Sequence, residues 1–269
     1  MKAGRPSTPT FGRAAMTRAQ DTRGEKIQKV LAAAGICSRR GAEELIRAGL
    51  VKVNGARIDN PALRVDPERD TIEYQGRAVV TAAGRAAGLI LYKQAGYVTS
   101  AADPHNPKTV YNLLPEAERA LKWLYAGRLD KDTEGLLLFT DSGELVHRLT
   151  HPSFKVSKHY RVKVLGQPSA GELKKLVRGM LVEGRRLRMD ETRIIHADTE
   201  GALIEVVLHQ GEKRQIKVMF GELGHKVVSL CRTRLGPLRL EGLKPGESRR
   251  LTDREMNSLL EAVGLPSRI

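Results

Sequence analysis

The sequence is poor in several residue types on which whole classes of protein depend. It has two cysteines in 269 residues, Cys37 and Cys231, which are far apart and have no partners at metal-binding spacing. That count excludes a disulfide framework, argues against a zinc site and fits a reducing compartment. Aromatic residues make up only 4% of the chain, so a platform of rings that stack on many bases is not expected. No apolar run approaches the roughly 18 residues that would span a bilayer.

Positive charge is what the chain has in excess. It has 46 lysines and arginines against 31 aspartates and glutamates, a formal net charge of +15. Such an excess points to a polyanionic partner, and the lack of a membrane span favours nucleic acid over a lipid surface. Residues 1–24 are basic and rich in small and polar residues. We interpret them as a disordered tail that attracts RNA non-specifically, with an organelle transit peptide as the alternative.

Residues 25–81 form a small module in this interpretation. A first helix, which Gly35 ends, is predicted from apolar residues at helical spacing, namely Ile27, Val30, Leu31 and Ala34. Ser38 is placed to cap a second helix that Gly49 closes. The pair Asn54-Gly55, flanked by alternating apolar residues, predicts a β-hairpin. Strand fragments follow at residues 71–74 and 77–80, and a linker is predicted at residues 82–88.

The start of the second helix is a candidate phosphate site. Ser38, Arg39 and Arg40 stand together there, and Lys52 lies on the first strand of the predicted hairpin. Free amides at a helix start and adjacent arginines suit a phosphate. The alternative is an ordinary solvated basic face.

The larger domain, residues 89–265, is centred on the stretch GRLDKDTEGLLLFTDSGEL, residues 127–145. Its apolar run, residues 135–139, fits a strand that is buried on both faces. Asp130 would then lie on a turn that packs against the core. A carboxylate held there by a rigid scaffold suits a nucleophile or a general base. An ordinary surface turn before a strand is the alternative.

Later segments of this domain supply further candidates. Residues 158–164 alternate as a strand with Tyr160 on the apolar face, where a plain core tyrosine is the alternative. Residues 211–220 open a helix with charges at its start, and a solvated helix face is the alternative there. Strands are predicted at 227–230 and 235–240, with the nearby arginines facing RNA, namely Arg232, Arg234 and Arg239. Thr252 and Glu255 match a capping box for a last helix.

Two stretches resemble known families. GRLDKDTEGLLLFT resembles the catalytic motif of pseudouridine synthases, in the RsuA-like branch that acts on ribosomal RNA. The residues that carry this resemblance are Arg128, Leu129, Asp130, Thr133, Gly135, Leu136 and Leu137. KIQKVLAAAGICSRRGAEELIRAGLVKVNG resembles the alpha-L RNA-binding module first seen in small-subunit ribosomal protein four, a module that most members of this branch carry.

The resemblance implies roles for the candidate residues. Asp130 corresponds to the essential aspartate of the motif, as nucleophile or as base. Tyr160 corresponds to the tyrosine that stacks on the flipped uracil, and its hydroxyl is a candidate for proton transfer. Lys217 is expected to pair with Asp130, with Arg214 in reserve, and Ile216 to pack beneath the base.

Other positions are implied to bind RNA. Arg128 is expected to contact a phosphate or to hold the flipped nucleotide, next to Leu129 of the motif. In the small module, Ser38, Arg39, Arg40 and Lys52 are expected to bind structured RNA by its shape and backbone.

The sequence therefore predicts an α+β protein, in which a small helical-hairpin RNA-binding module precedes a larger, mainly antiparallel mixed sheet with a central catalytic cleft. The antiparallel sheet and the cleft come from the resemblance. The predicted function is isomerisation of uridine to pseudouridine in ribosomal RNA, without a cofactor or a metal, by a cytoplasmic monomer. Large-subunit RNA, as in the RluB-type branch, is favoured over small-subunit RNA. The rival functions are a non-catalytic ribosome-assembly factor and a hydrolytic RNA glycosidase that uses the same carboxylate.

Overall fold

A computed structural model of the protein describes residues 24–34, 36–67, 69–79 and 87–267. The chain divides between Ala82 and Ala83 into two compact units. The tail predicted for residues 1–24 lies outside the described residues except for Gly24, as does Gly35, and the predicted linker is described only at Ala87 and Gly88. Within the described ranges, no helix is long and apolar enough to cross a membrane.

The first unit combines two helices with short antiparallel strands. The helices are α1 (Ile27–Ala33) and α2 (Arg39–Arg47). The strands are β1 (Glu25–Lys26), β2 (Val51–Val53), β3 (Ala56–Arg57), β4 (Arg64–Val65), β5 (Ile72–Tyr74) and β6 (Arg77–Ala78). Strands β3-β2-β5-β6 form one sheet in that order, and β1 pairs with β4. Apolar side chains of both helices and of β2, β4 and β5 share one core.

Local signals in the sequence account for this unit. The Ser38 hydroxyl accepts a hydrogen bond from the Gly41 amide at 3.1 Å, so the predicted cap of α2 is confirmed. Asn54 and Gly55 both have positive φ, 51° and 81°, and connect β2 to β3 as the hairpin turn predicted. Two positive φ angles match the right-handed twist of the paired strands, which explains why this dipeptide stands there.

The second unit is built on one large mixed sheet with helices packed against it. The strands of the second unit are β7 (Gly88–Lys93), β8 (Leu124–Tyr125), β9 (Glu134–Thr140), β10 (Lys158–Leu165), β11 (Met180–Val182), β12 (Arg185–Leu187), β13 (Glu191–Asp198), β14 (Gly201–Leu208), β15 (Val227–Leu235), β16 (Leu238–Arg239) and β17 (Ser248–Arg250). Its helices are α3 (Glu116–Arg119), α4 (Gly143–Thr150), α5 (Ala170–Arg178), α6 (Gln215–Glu222) and α7 (Asp253–Ala262), with short 3₁₀ turns at Val110–Leu113 and Pro152–Phe154.

The strand order of this sheet is β13-β14-β10-β15-β9-β7-β17, with β16 beside β15 and β8 beside β9. Neighbours are antiparallel except β15 and β9, which are parallel and pair only where Cys231 and Arg232 face Glu134 and Gly135. Alternate residues of β7 and β9 belong to two different hydrophobic clusters, so both faces of these strands are buried, as predicted for residues 135–139. The predicted α+β class with a mainly antiparallel mixed sheet is confirmed.

The end of the sheet differs from the prediction. The two strands predicted at 227–230 and 235–240 are one strand, β15, followed by the short β16. The sheet continues through residues 231–234, and Arg232 in this stretch is buried, with only 2% of its surface exposed. The prediction that Arg232 faces RNA is therefore wrong. The capping box at Thr252 is confirmed at the start of α7.

Candidate active site

The turn that carries Asp130 is fixed on its N-terminal side by Leu129. The Leu129 side chain is buried in the core. The Thr99 hydroxyl donates to the Leu129 carbonyl at 2.7 Å and lies 3.2 Å from the Leu129 amide as its acceptor. Backbone and side chain of the residue before Asp130 are thus both held, which leaves Asp130 little freedom at its own Cα.

The C-terminal side of the turn is held by backbone groups and by a buried lysine. The Thr133 amide donates to the Asp130 carbonyl at 3.0 Å, and the Gly96 amide donates to the Lys131 carbonyl at 2.8 Å. The Lys93 ammonium, at the end of β7, donates to the carbonyl oxygens of Asp130, Lys131 and Thr133 at 3.0, 3.3 and 2.7 Å. The sequence analysis missed Lys93, because its acceptors are backbone carbonyls that no sequence pattern marks.

Gly135 brings the start of β9 against β15. Its φ is +109°, a region that residues with a side chain rarely adopt, and a Cβ there would collide with the backbone of Arg232. Arg232 is its partner in the parallel pairing, and the Arg232 side chain donates from Nε to the Leu136 carbonyl at 2.7 Å. Gly135, the glycine of the motif, is therefore needed where β9 pairs with β15, next to the Asp130 turn.

Asp130 is half-buried. Among the described residues it accepts no hydrogen bond and forms no ion pair, although its charge acts on Lys93. A carboxylate on a fixed turn, without a competing cation in contact, is available to react with a bound group. The structure thus places Asp130 as the sequence predicted, on a turn packed against the core.

Tyr160 and Ile216 lie in the same hydrophobic cluster as Leu129. Tyr160, on β10, is paired with Val206 and Arg232 of the adjacent strands and is 8% exposed. Ile216, in the first turn of α6, is 4% exposed. The structure therefore brings the predicted aromatic and packing residues into the core that also holds the Asp130 turn. Their roles toward a base stay predictions.

The backbone at the start of α6 has an unusual conformation, which sets the direction of the basic side chains there. Arg214 has a φ of +56°, a left-handed conformation that is uncommon for a residue with a side chain. Gln215 is buried, and its side-chain amide donates to the Arg188 carbonyl at 2.6 Å while its oxygen accepts from the Glu212 amide at 2.9 Å. These bonds fix the turn from which the Lys217 side chain extends.

The expected ion pair between Lys217 and Asp130 is not what the structure contains. The Lys217 ammonium donates to Asp132 at 2.5 Å, and the reserve candidate Arg214 lies 3.7 Å from the same carboxylate. Burial would raise the pKa of Asp132, but the hydrogen bond and charge of Lys217, with Arg214 nearby, lower that pKa below its ordinary value. Because Asp130 and Asp132 are only two residues apart on one turn, sequence spacing could not tell which of them faces α6.

An open groove of about 530 Å³ lies beside this ion pair. It is lined by Asp132, Arg214 and Lys217 at one end, and by residues 224–230 along its side. Arg128, the other predicted substrate contact, is exposed next to Asp130 on the turn. Four basic side chains, Arg214, Lys217, His225 and Lys226, and one acidic residue, Asp132, are among the residues that line the groove.

A second lysine, the half-buried Lys158, supports the strand that carries Tyr160. Its ammonium donates to the carbonyls of Val156 and His209 at 2.9 and 3.0 Å. Burial lowers its pKa to about 8, and the nearby charge of Arg232 acts in the same direction. The start of β10 is therefore held by polar contacts as well as by packing.

The residues of the first unit that were predicted to contact RNA lie on the helix and the strand that the sequence predicted for them. Arg39 and Arg40 are exposed in the first turn of α2, directly after the capping Ser38. Lys52 is half-buried on β2, opposite Arg57 and Glu73. In the described part of the chain, no three histidine, cysteine, aspartate or glutamate side chains are grouped so that they could hold a metal ion.

The fold and the site together place one carboxylate, that of Asp130, on a fixed turn beside basic side chains. Comparison with known families identifies the class of protein. The model of the family described as RNA pseudouridylate synthase matches residues 88–222, and that of the S4 domain matches residues 25–72. The chain belongs to the RNA pseudouridylate synthase family and carries an N-terminal S4 domain.

Individual relatives agree over most of their length. An RNA pseudouridine synthase of Aquifex aeolicus is 38% identical over 242 residues, which is 89% of this chain and 95% of the relative. The ribosomal large subunit pseudouridine synthase B of Bacillus subtilis is 36% identical, over 87% of this chain and 95% of its own. A crystal structure of a pseudouridylate synthase superposes with a TM-score of 0.61 at 30% identity, and covers 87% of this chain and 98% of its own.

Family membership establishes the type of reaction. The protein is an enzyme, an RNA pseudouridine synthase, and isomerisation of uridine to pseudouridine is the reaction of its family. The rival interpretation as a non-catalytic RNA-binding factor is not supported by these comparisons.

Proposed function

We propose that this enzyme converts one or more uridines of large-subunit ribosomal RNA to pseudouridine, with Asp130 as the essential catalyst. Two relatives that are 36% identical, from Bacillus subtilis and Vibrio cholerae, are named ribosomal large subunit pseudouridine synthase B. The S4 domain and the net charge of +15 support an RNA substrate. Small-subunit RNA is the alternative target.

The observation that carries the catalytic assignment is the Asp130 carboxylate, held on a fixed turn with no cation in hydrogen-bonding contact among the described residues. In the reaction the bond between C1′ of the sugar and N1 of uracil breaks, and a bond between C1′ and C5 forms. C5 loses its proton and N1 gains one, so no electrons are gained or lost overall and no redox cofactor is required.

Two roles for Asp130 fit this chemistry. Breaking the sugar–base bond generates positive character at C1′, which a nearby carboxylate stabilises or traps covalently, as in glycosidases. Alternatively the carboxylate removes a proton from the sugar to start the detachment. Both roles need the carboxylate within contact distance of the sugar, and neither needs a metal ion.

The neighbouring residues hold the detached base in this proposal. Tyr160 presents its ring to the extruded uracil, which has lost its stacking partners, and Ile216 packs beneath it. Arg128, exposed on the Asp130 turn, and Arg214, exposed at the groove, contact phosphates. Lys217 acts on the turn through Asp132, its partner in the structure, and not through a direct bond to Asp130.

In this proposal the S4 domain also binds the RNA. Ser38 caps α2, and Arg39 and Arg40 extend from its exposed first turn, where free amides and charge favour a phosphate. Lys52 adds charge on β2.

We also propose that the enzyme acts as a monomer in the cytoplasm.

The experiment that tests this proposal is pseudouridine mapping of ribosomal RNA in cells that lack the gene. The cells are complemented with wild type, with Asp130→Asn, or with Asp253→Asn as a matched control at an exposed position of α7. We expect one large-subunit uridine to lose its mark, and wild type and Asp253→Asn to restore it. Restoration by Asp130→Asn would refute the catalytic assignment, and a change confined to small-subunit RNA would refute the proposed target.

A further inference from the structure

Strand β10 has one side in the core and the other in solvent. Tyr160, Val162 and Val164 are buried in the hydrophobic cluster to which α5 and α6 also contribute. The alternate residues Arg161 and Lys163 point to the opposite side of the sheet and are exposed. An antiparallel sheet commonly has one solvated face, so exposure alone does not indicate a ligand. The charge on this face is what calls for an explanation.

Residues of the neighbouring strands extend this solvated surface, because residues directly opposite each other in a sheet share a face. Arg161 is opposite Glu205 of β14, which is itself opposite Arg193 of the last strand in the sheet, β13. Lys163 is opposite Ser229 of β15. We call this surface the outer face, made by Arg161, Lys163, Arg193, Leu203, Glu205 and Ser229.

The outer face carries positive charge that its own carboxylate does not neutralise. The Arg193 guanidinium donates to the Glu205 carboxylate at 2.8 Å, so this acid already has a partner. Arg161 and Lys163 form no hydrogen bond or ion pair within the described part of the chain. Both cations are therefore available to an anion from outside the protein.

Further arginines lie beside the outer face, next to His159. Arg234 of β15 is opposite His159 of β10, and it is also opposite Arg239 of β16. Burial lowers the pKa of His159, and the charges of Arg234 and Arg239 act in the same direction, opposed by Glu205 and Glu191. These two arginines, which the sequence analysis expected to face RNA, extend the basic surface along β15 and β16.

Protection of a sheet edge does not explain these cations. Lysines on edge strands prevent pairing with another chain, but β10 lies between β14 and β15 and is paired with both. Arg161 and Lys163 are two residues apart on one strand, about 7 Å, and like charges at such a distance repel each other. Neutral polar residues, as at Ser229, would keep the face solvated without this repulsion. A bound polyanion would remove the repulsion and use both charges.

We propose that the outer face binds a second segment of the RNA substrate through its phosphates, with Arg161 and Lys163 as the main contacts. The inference goes beyond the proposed function and rests on it only for the identity of the polyanion as ribosomal RNA. The segment is distinct from the one that carries the target uridine, because Tyr160 points to the opposite side of the sheet. Phosphate contacts position an RNA without reading its sequence. A folded RNA held at two separate surfaces is bound more tightly than at either one.

The first test measures the RNA affinity of the full-length protein. All variants carry Asp130→Asn, so that conversion of uridine does not accompany the measurement. Arg161→Gln/Lys163→Gln removes the two cations of β10. Arg254→Gln/Lys244→Gln is the matched control, which removes one arginine and one lysine from exposed positions of α7 and of the loop before β17. The probe is a full-length transcript of large-subunit ribosomal RNA, titrated at several salt concentrations, and melting temperatures check the folding of each variant.

We expect the outer-face variant to bind this RNA about tenfold more weakly than the control variant at about 0.1 M salt, because fewer counterions are released. The slope of log affinity against log salt concentration should decrease by about 2, which is about 1 for each lost phosphate contact. Equal affinities and equal slopes for the two variants would overturn the proposal. A loss of binding seen only with ribosomal precursor particles, and not with the naked transcript, would also overturn it, because the outer face would then bind a protein.

Photo-crosslinking locates the contact on the RNA. The photoreactive residue p-benzoylphenylalanine replaces Lys163 or, as the control, Lys244. We expect crosslinks from position 163 to nucleotides outside the hairpin or loop that holds the target uridine, and none from position 244. An absence of crosslinks from position 163, or crosslinks confined to the segment of the target, would refute a second RNA segment.

The two proposals fail in different ways. Activity of Asp130→Asn would refute the proposed function and would leave the binding results valid. Equal binding of the outer-face and control variants, beside an inactive Asp130→Asn, would refute only the role of the outer face.

Discussion

The start of α2 and the Asp130 turn are held by contacts of different range. At the start of α2 the capping contact is local, between Ser38 and Gly41, although the same unit also has longer contacts, such as those of the Asn54 side chain with Asp70 and Thr71. In the Asp130 turn the contacts join residues far apart in the chain: Lys93 is 37 residues from Asp130, and Lys217 is 85 residues from Asp132. Local contacts form with the helix or hairpin itself, whereas the Asp130 turn takes its shape only when β7, β9 and α6 have assembled.

This difference has a consequence for substitutions. A change at the cap of α2 should be felt mainly in that helix. A change at the Asp130 turn should be felt across several elements at once, because residues in one network of contacts are coupled in their effects on stability.

Paired glycine substitutions should show this difference with the largest effect. Gly135→Ala is expected to destabilise the protein by at least about 2 kcal/mol, because its φ is +109° and the added Cβ meets the backbone of Arg232. Gly55→Ala, at a φ of +81° with open space around it, should cost about 1 kcal/mol. Urea unfolding of the full chain measures both. Equal costs would contradict the tight join between β9 and β15.

Loss of a helix cap should have a smaller and local effect. Ser38→Ala removes the acceptor for the Gly41 amide and should weaken α2 by about 1 kcal/mol. Hydrogen exchange of α2 amides should accelerate accordingly, while amides of α5, which Ser169 caps, stay protected. Ser169→Ala provides the reciprocal control. Accelerated exchange throughout the protein would contradict the local character of the Ser38 cap.

The pair between Lys217 and Asp132 should couple weakly but measurably. Lys217 is 12% exposed and Asp132 57%, so solvent screens the pair in part. A double-mutant cycle of Lys217→Met and Asp132→Asn should give a coupling of about 0.5–1 kcal/mol in stability. The same cycle with Lys217→Met and Asp130→Asn serves as the comparison and should give none. Coupling of Lys217 to Asp130 and not to Asp132 would support the ion pair between Lys217 and Asp130 that the family resemblance implied.

Asp130→Asn should have the smallest effect on stability of these changes. The carboxylate has no hydrogen-bond or ion-pair partner among the described residues, and asparagine has nearly the same shape. We expect the free energy of unfolding to change by less than about 0.5 kcal/mol. Thermal and urea unfolding measure it. A large loss of stability would mean that the Asp130 carboxylate stabilises the turn. A large gain of stability would mean that the carboxylate is strained there.

The same contrast explains which parts of the molecule the sequence could predict. The caps of α2 and α7 and the turn between β2 and β3 were predictable, because each depends on residues within a few positions. The buried strand β9 and the half-buried strand β10 were also predictable, since periodicity reports burial directly. The family motif located Asp130 on its turn.

The missed features depend on contacts that no local pattern encodes. Lys93 looked like the polar end of an apolar strand, and nothing in its neighbours marks the three distant carbonyls that it contacts. Arg232 looked exposed because of its charge, but it lies in the sheet with its Nε on the Leu136 carbonyl. The short hairpin of β11 and β12 was also missed, since each of its strands has only three residues.

The central claim is that Asp130 catalyses isomerisation, and one assay tests it most directly. Ribosomal RNA transcripts with tritium at C5 of uridine are incubated with purified wild type or Asp130→Asn. Because the C5 hydrogen leaves when the new carbon–carbon bond forms, we predict tritium release by wild type without free uracil. For Asp130→Asn we predict a rate lower by at least about 10⁴-fold, the size of loss seen when a catalytic nucleophile is removed. Release of free uracil and abasic RNA by wild type, or tritium release by Asp130→Asn at the wild-type rate, would contradict the account.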